Sequence, residues 1–238
     1  SFNFTTVCCR KGHAGLYKDF ADEIIEYNPP QYFPECQNNV GDCGFFPKPK
    51  DYQKYIGPND ETSTPAYQSS NGVFAPNPPQ EFFRYGNINS DKQKDDILIH
   101  ARARKLTGGK ISTEDRNLPI EKWDEIVNYL KSKKYSIASI GTKKESHLIS
   151  GTEDLRGITL EDLCDYCVKS KCMLSPSSGP LHLAALCGTP IIVWSGNGSN
   201  KFRYEKAWNP FNNKVQYLNG WHNVKVDNIK NAIDNLDE

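Results

Sequence analysis

Residues 175–196 read SPSSGPLHLAALCGTPIIVWSG, and this stretch decides the fold. Small polar residues make a tight turn, Pro180 enters a short helix, Gly188 ends it, and Ile191 to Trp194 form a buried strand. Proline suits the first helical turn, where its missing N–H costs nothing, and glycine suits the position just past the last turn. The start of such a helix leaves backbone N–H groups unpaired and carries the positive end of the helix dipole. Ser177, Ser178 and Gly179 therefore frame a seat for an anion, and phosphate is the expected guest.

The same alternation extends to either side. Ile97 to Ala101 reads as a buried strand, and Asn117-Leu118-Pro119 starts a helix whose Trp123, Ile126, Val127 and Leu130 fall at i, i+3, i+4 and i+7. Tyr135 to Ile140 is a second strand. Thr159, with Asp162 three residues on, resembles a capping box for a helix that buries Leu160, Leu163, Cys164, Cys167 and Val168. Cys172 to Leu174 is a third strand, Val215 to Leu218 a possible edge, and Asp227 caps a closing helix with Ile229, Ile233 and Leu236 inside. Strictly alternating strands and helices imply a parallel sheet covered on both faces. The fold class is thus α/β, with residues 95–238 forming a Rossmann-like doubly wound domain.

Residues 1–94 read differently. FTTVCC is β-prone, RKGHAG breaks it, and Leu16, Phe20, Ile24 and Tyr27 predict a helix on the far side. Residues 28–80 then hold 10 of the 15 prolines and no sustained period. Their many aromatics favour an ordered, loop-rich lobe over a linker. This lobe is too short for a complete first Rossmann domain.

The formal net charge of the 238 residues is +0, which gives no reason to expect nucleic acid or an anionic membrane as partner. No apolar run approaches the roughly 20 residues of a transmembrane helix, and the start lacks a signal-peptide pattern. A cytoplasmic location is expected. The chain starts at Ser1 and its one methionine is Met173, so it reads as part of a longer polypeptide. Cys164, Cys167 and Cys172 invite a zinc reading, but one C-x2-C within an amphipathic helix favours buried free thiols. No metal site is assigned.

Ligands of a doubly wound sheet lie beyond the carboxyl ends of its strands. That rule gathers His100 to Gly109, Gly141 to Glu145, Leu155 to Gly157, Ser175 to His182 and Gly196 to Ser199 on one rim. Arg102 and Arg104 share a face with His100 if the strand continues, and two guanidiniums suit a diphosphate; the alternative is a pair of solvated arginines. Lys143, Lys144 and Glu145 read equally as ribose or phosphate contacts and as a solvated charge run. His182 reads as a core histidine or as a ligand to phosphate or sugar.

SSGPLHLAALCGTPIIVWSG also resembles the nucleotide-sugar-binding signature of inverting GT-B glycosyltransferases of the heptosyltransferase type, the glycosyltransferase family 9-like group. The resemblance covers mainly residues 95–200. It implies that Ser177, Ser178, Gly179, Pro180 and His182 hold the donor diphosphate, with Gly141 and Gly196 nearby, and that Asp154-Leu155-Arg156-Gly157 matches a segment whose backbone meets the nucleobase. A basic residue after the first strand neutralises the leaving diphosphate in that family; Arg102, Arg104 and Lys105 match it in position only.

The family places a catalytic Asp in its first loop. Here that loop is Arg10-Lys11-Gly12-His13-Ala14-Gly15, and the Asp is absent. His13 is the first choice as general base, since histidine titrates near neutrality; Asp19 and Asp22 are second choices, and a plain loop histidine is the alternative. No DxD-like carboxylate pair is placed to hold a divalent ion, so no metal and no cofactor are expected. The expected function is metal-independent, inverting transfer of a sugar from a nucleotide-diphosphate donor to a glycan hydroxyl. A nucleotide-sugar epimerase and a non-catalytic nucleotide-sugar-binding module are the alternatives.

Overall fold

The computed structural model describes residues 6–18, 21–27, 85–91, 95–103, 116–196, 200–207, 209 and 211–236. The chain divides into two compact units, Ser1–Gln80 and Glu81–Glu238.

In the first unit, β1 (Thr6–Arg10) and β2 (Glu23–Tyr27) pair in parallel, with Thr6 opposite Glu23 and Arg10 opposite Tyr27. A single 3₁₀ turn, Ala14–Leu16, lies between them. The helix expected from Leu16 to Tyr27 is therefore corrected: its second half is a strand. Ile24 and Ile25 are β-branched, and a helical spacing of apolar residues yields when a parallel neighbour is there to satisfy the backbone.

The second unit is a six-stranded, wholly parallel sheet. Its strands are β3 (Ile97–Ile99), β4 (Ile137–Ser139), β5 (Glu153–Asp154), β6 (Cys172–Pro176), β7 (Ile191–Ser195) and β8 (Val215–Asn219). Their order across the sheet is β5-β4-β3-β6-β7-β8. Counted from β3, this is the 3-2-1-4-5-6 order of a dinucleotide-binding fold, and the order reverses between β3 and β6.

Among the described residues four helices cover the sheet: α1 (Ile120–Ser132), α2 (Leu160–Lys169), α3 (Gly179–Cys187) and α4 (Val226–Asp234). Side chains alternate across each strand. Ile97, Ile99, Cys172, Leu174, Ile192 and Trp194 face one core with Trp123, Ile126, Val127 and Leu130 of α1 and Ile229 and Ile233 of α4. Trp123 and Trp194 meet there, ring centroids 5.5 Å apart. The opposite strand positions, Leu98, Met173, Ile191 and Val193, are also fully buried or nearly so, and α2 and α3 pack together.

Local signals set the boundaries. Thr159 Oγ1 accepts from the Asp162 amide at 3.1 Å and donates to its carboxylate at 2.9 Å, capping α2. Gly188 ends α3 in the left-handed conformation at φ 81°, which glycine adopts without strain. The next two residues of the Gly-Thr-Pro run also serve the fold. Thr189 Oγ1 donates to the Cys167 carbonyl at the end of α2, and the Pro190 carbonyl accepts from the Met173 amide. Asp227 does not cap α4: Lys225 is the N-cap, and Asp227 lies in the first turn.

Two further differences matter. Residues 85–91, read from sequence with the first lobe, join the second unit: the Tyr85 amide donates to the Leu186 carbonyl and the Asn87 amide to Asp165 Oδ1. The strand expected to run to Ala101 and beyond stops at Ile99. Arg102 instead forms an isolated antiparallel bridge with Ser146, drawn out of the ladder by hydrogen bonds from Ala103 N to Glu145 O and from His147 N to Ala101 O, both 2.8 Å.

Cys164, Cys167, Cys172 and Cys187 are free and buried. A hydrogen bond with Cys187, and then burial, raise the Cys164 thiol well above its ordinary range. Among the described residues no group of three His, Cys, Asp or Glu side chains is placed to hold a metal ion. No helix among them is long and apolar enough to cross a membrane.

Candidate functional site

The carboxyl ends of β3 and β6 flank the point where the strand order reverses, and the α3 turn follows β6 directly. His100, the residue after β3, is 6% exposed. Its Nδ1 lies 3.2 Å from Ser175 Oγ and 3.0 Å from Ser178 Oγ. The two hydroxyls are 2.8 Å apart, and Ser175 Oγ donates to the Pro176 carbonyl at 2.8 Å. Burial, with Arg102 second, pushes the His100 pKa down to about 4, so the imidazole is neutral at neutral pH.

Gly141, after β4, closes the space beside this ring. Its φ is +114°, and a Cβ there would lie 2.7 Å from His100 Cδ2 and 2.8 Å from Ser146 Oγ. Both the left-handed backbone and the close approach require glycine. Gly141 O accepts the Gly157 amide at 2.7 Å, which joins the 141–145 turn to the 154–157 segment.

Ser178 is the N-cap of α3, yet its side chain makes no cap hydrogen bond. An N-cap serine ordinarily accepts an amide of its own first turn; here the hydroxyl is held by His100 and Ser175 instead. Ser177 is held likewise. Its amide donates to the Trp194 carbonyl at 3.0 Å, and its Oγ accepts from the Tyr204 hydroxyl at 2.7 Å. Tyr204, 2% exposed, sits in a π-helical turn, Arg203–Ala207, and stacks on His182 at 5.8 Å with an interplanar angle of 20°. Burial lowers the His182 pKa. Gly179 is exposed, with open space where a Cβ would be.

Beyond β7, a Cβ on Gly196 would lie 1.9 Å from Trp221 Nε1, so the indole rests on bare backbone. Lys122 Nζ fixes this loop by donating to the His222 and Val224 carbonyls at 2.8 and 3.0 Å. The Arg116 guanidinium carbon lies 4.8 Å from the Trp221 ring centroid, a cation–π arrangement. Its charge also reaches Tyr204, where it opposes the burial that lifts the phenol to about 12. Among the described residues no carboxylate is ion-paired to Arg116.

Of the residues singled out from sequence, Ser177, Ser178, Gly179, Pro180 and His182 form one turn and helix start. Gly141 abuts it through His100, and Gly196 lies on the same rim beneath Trp221. Leu155 is buried, its amide on the Ser139 carbonyl at 3.0 Å. Arg156 clamps Asp154 through Nε at 2.8 Å and Nη2 at 3.0 Å and donates through Nη1 to the Ser146 carbonyl. This pairing takes Asp154 down to about 2. Lys143 and Glu145 are exposed on the 141–145 turn; the Glu145 amide donates to Thr142 Oγ1 and its carbonyl accepts from Ala103.

Arg102 is not an alternating strand residue on the His100 face. It is 7% exposed and donates to Asn117 Oδ1 at 2.8 Å, because the bridge to Ser146 redirects it. Arg104, Lys105 and Asp19 lie outside the described residues. His13 precedes the 3₁₀ turn of the first unit and its carbonyl accepts the Leu16 amide at 3.0 Å. The adjacent Gly12 amide donates to Glu26 Oε1 at 2.8 Å.

Three members of the rim escaped the sequence reading, Arg116, Tyr204 and Trp221, and a fourth, His100, was gathered there but given no role. His100 and Arg116 each had a signal, being respectively the first residue past a buried strand and a cation just ahead of a helix start. Tyr204 and Trp221 carried none beyond their residue type.

The structural neighbours are glycosyltransferases. The Escherichia coli heptosyltransferase WaaC with ADP matches at 16% identity and a TM-score of 0.49, covering 99% of this chain and 73% of that one. The E. coli ADP-heptose LPS heptosyltransferase II matches at 14% and 0.45, covering 80% and 55%. A glycosyltransferase of family 9 from Veillonella parvula matches at 12% and 0.44, covering 99% and 67%. No protein-family model and no curated protein sequence matches the chain.

Proposed function

We propose that the second unit is the donor-binding half of a metal-independent, inverting glycosyltransferase acting from a nucleotide-diphosphate sugar onto a glycan hydroxyl. The observation that carries this reading is the α3 turn at the strand-order reversal. Ser178 makes no cap hydrogen bond and the Ser177 hydroxyl is taken by Tyr204, which leaves the helix start and its dipole to an anion. Arg116, stacked on Trp221 and bearing on Tyr204, supplies the cation that the sequence reading sought in Arg102, Arg104 or Lys105.

In this reaction an acceptor oxygen bonds to the anomeric carbon while the bond to the diphosphate breaks on the opposite face. The acceptor proton goes to a base, and negative charge gathers on the departing phosphate oxygen. The helix start and Arg116 stabilise that charge, and no divalent ion is required. The 154–157 segment and Gly141 line the side where the nucleoside lies, with Lys143 and Glu145 next to it. His13 is the proposed base, with Asp19 or Asp22 as its substitute. Four buried free thiols suit a reducing compartment, and the cytoplasm is the proposed location.

Incubation with ADP-, UDP-, GDP- and dTDP-sugars and a mixed glycan acceptor, with and without EDTA, tests the reading. Release of a nucleoside diphosphate that EDTA does not reduce is the expected result. Isomerised sugar without release indicates an epimerase, and binding without either product indicates a non-catalytic module.

A further inference from the structure

His100 is buried at the point where the sheet reverses its strand order, and no step of the proposed transfer uses it. Its Nδ1 is within hydrogen-bonding distance of two hydroxyls, Ser175 Oγ and Ser178 Oγ, which follow it by 75 and 78 residues. One direction of the proton chain makes a hydrogen bond of every contact in this cluster. Ser175 Oγ donates to the Pro176 carbonyl, so the 2.8 Å contact between the serines takes its proton from Ser178. The Ser178 oxygen is then free to accept, and His100 Nδ1–H donates to it.

In that arrangement the Ser178 hydroxyl is occupied on both sides and turned inward. An N-cap serine left to itself accepts from the amide two or three residues on; Pro180 has no N–H, so here that amide is Leu181's, and the bond would seal the start of the helix. Ser175 Oγ, 2.8 Å away, takes the Ser178 proton, and His100 supplies the donor that occupies the Ser178 oxygen. Gly141 completes the device: its bare backbone admits the imidazole, and a Cβ there would meet Cδ2 at 2.7 Å.

We propose that His100 is a positioning residue for the donor site, whose Nδ1–H holds the Ser178 hydroxyl off the α3 amides and so keeps them open to the donor phosphates. The inference rests on the donor-phosphate reading above. It assigns to His100 no contact with substrate and no proton transfer to it.

The two ring nitrogens can be separated by substitution. His100→Asn places an amide N–H where Nδ1 lies, whereas His100→Gln places it where Nε2 lies. Binding of inorganic pyrophosphate, ADP, UDP and GDP is measured by titration calorimetry on the full chain, wild type and variants, with thermal melting beside it. For whichever probe the wild type binds, His100→Asn is expected to stay within about threefold of wild type and His100→Gln to weaken binding about tenfold. The His100→Gln/Ser178→Ala double variant, with no hydroxyl left to seal the amides, is expected to bind more tightly than His100→Gln alone.

Amide exchange in the unliganded wild type reads the capping state directly: the Leu181 amide is expected to exchange as an unprotected amide does, whereas a serine cap would slow it, and this reading stands even if the His100 variants do not fold. Equal affinity of wild type and His100→Gln, a double variant no tighter than His100→Gln, or a protected Leu181 amide in the unliganded wild type would overturn the inference. A wild type that binds none of the four probes at millimolar concentration overturns the donor reading itself.

Discussion

The Tyr204 hydroxyl donates to Ser177 Oγ at 2.7 Å across 27 residues of chain. With His100 on Ser178, it makes a turn in which both serine hydroxyls are held by buried rings and neither serves the helix they precede. Removing the tie while keeping the ring is the cleanest probe of its weight. Tyr204→Phe is expected to lower the unfolding free energy in urea by about 1 kcal/mol, the usual net value of such a bond, and to weaken nucleoside diphosphate binding about threefold. Unchanged affinity would show that the Ser177 hydroxyl has no part in the site.

Arg116 and Arg102 are expected to separate function from stability. Arg116→Ala should raise the Kd for a nucleoside diphosphate about tenfold, or about 1.4 kcal/mol, with little change in melting temperature. Arg102→Ala should do the reverse. It removes a buried guanidinium from Asn117 and should cost about 2 kcal/mol of stability, while Kd stays within about twofold. Titration calorimetry and urea unfolding on both variants check the pair.

How far the sequence reached is visible in these two arginines. Trp123, Ile126, Val127 and Leu130 gave the α1 face by spacing alone, and Gly188 and Pro180 gave both ends of α3, because these signals are local. The Glu23–Tyr27 strand was misread because its apolar spacing also fits a helix, and only the β1 ladder decides between them. Arg102 was misplaced because the Ser146 bridge lies 44 residues away. The His100–Ser178 and Tyr204–Ser177 bonds join positions that no spacing rule connects, so the site's chemistry was legible as a turn of small residues and its framework was not.

Asp95 gives a pH test independent of the site. Its side chain is 3% exposed and Oδ2 has no hydrogen-bond partner among the described residues. Burial, then the charges of Glu153 and Asp96, raises it to about 6. A carboxyl whose folded pKa exceeds its unfolded one favours the native state below the unfolded pKa, and that benefit is lost as pH rises through the folded value. Asp95→Asn should therefore stabilise the protein by roughly 2–3 kcal/mol at pH 7.5 and by almost nothing at pH 3.5. Urea unfolding at the two pH values checks the sign; an equal gain at both would point to packing instead.

Gly141→Ala tests whether the space beside His100 is as tight as the backbone implies. The added Cβ meets the ring at 2.7 Å in a left-handed conformation, and a loss of about 2 kcal/mol or more is expected. Gly179→Ala, with nothing within 4 Å of its Cβ, should cost under about 1 kcal/mol and serves as the comparison in thermal unfolding.

The central claim is that the start of α3 holds the donor diphosphate, and amide hydrogen exchange measures it most directly. With saturating nucleoside diphosphate, peptides covering residues 177–182 should gain protection by an order of magnitude or more, while those from α4 stay unchanged. Tight binding of the same ligand with no change in exchange across residues 177–182 would contradict the account.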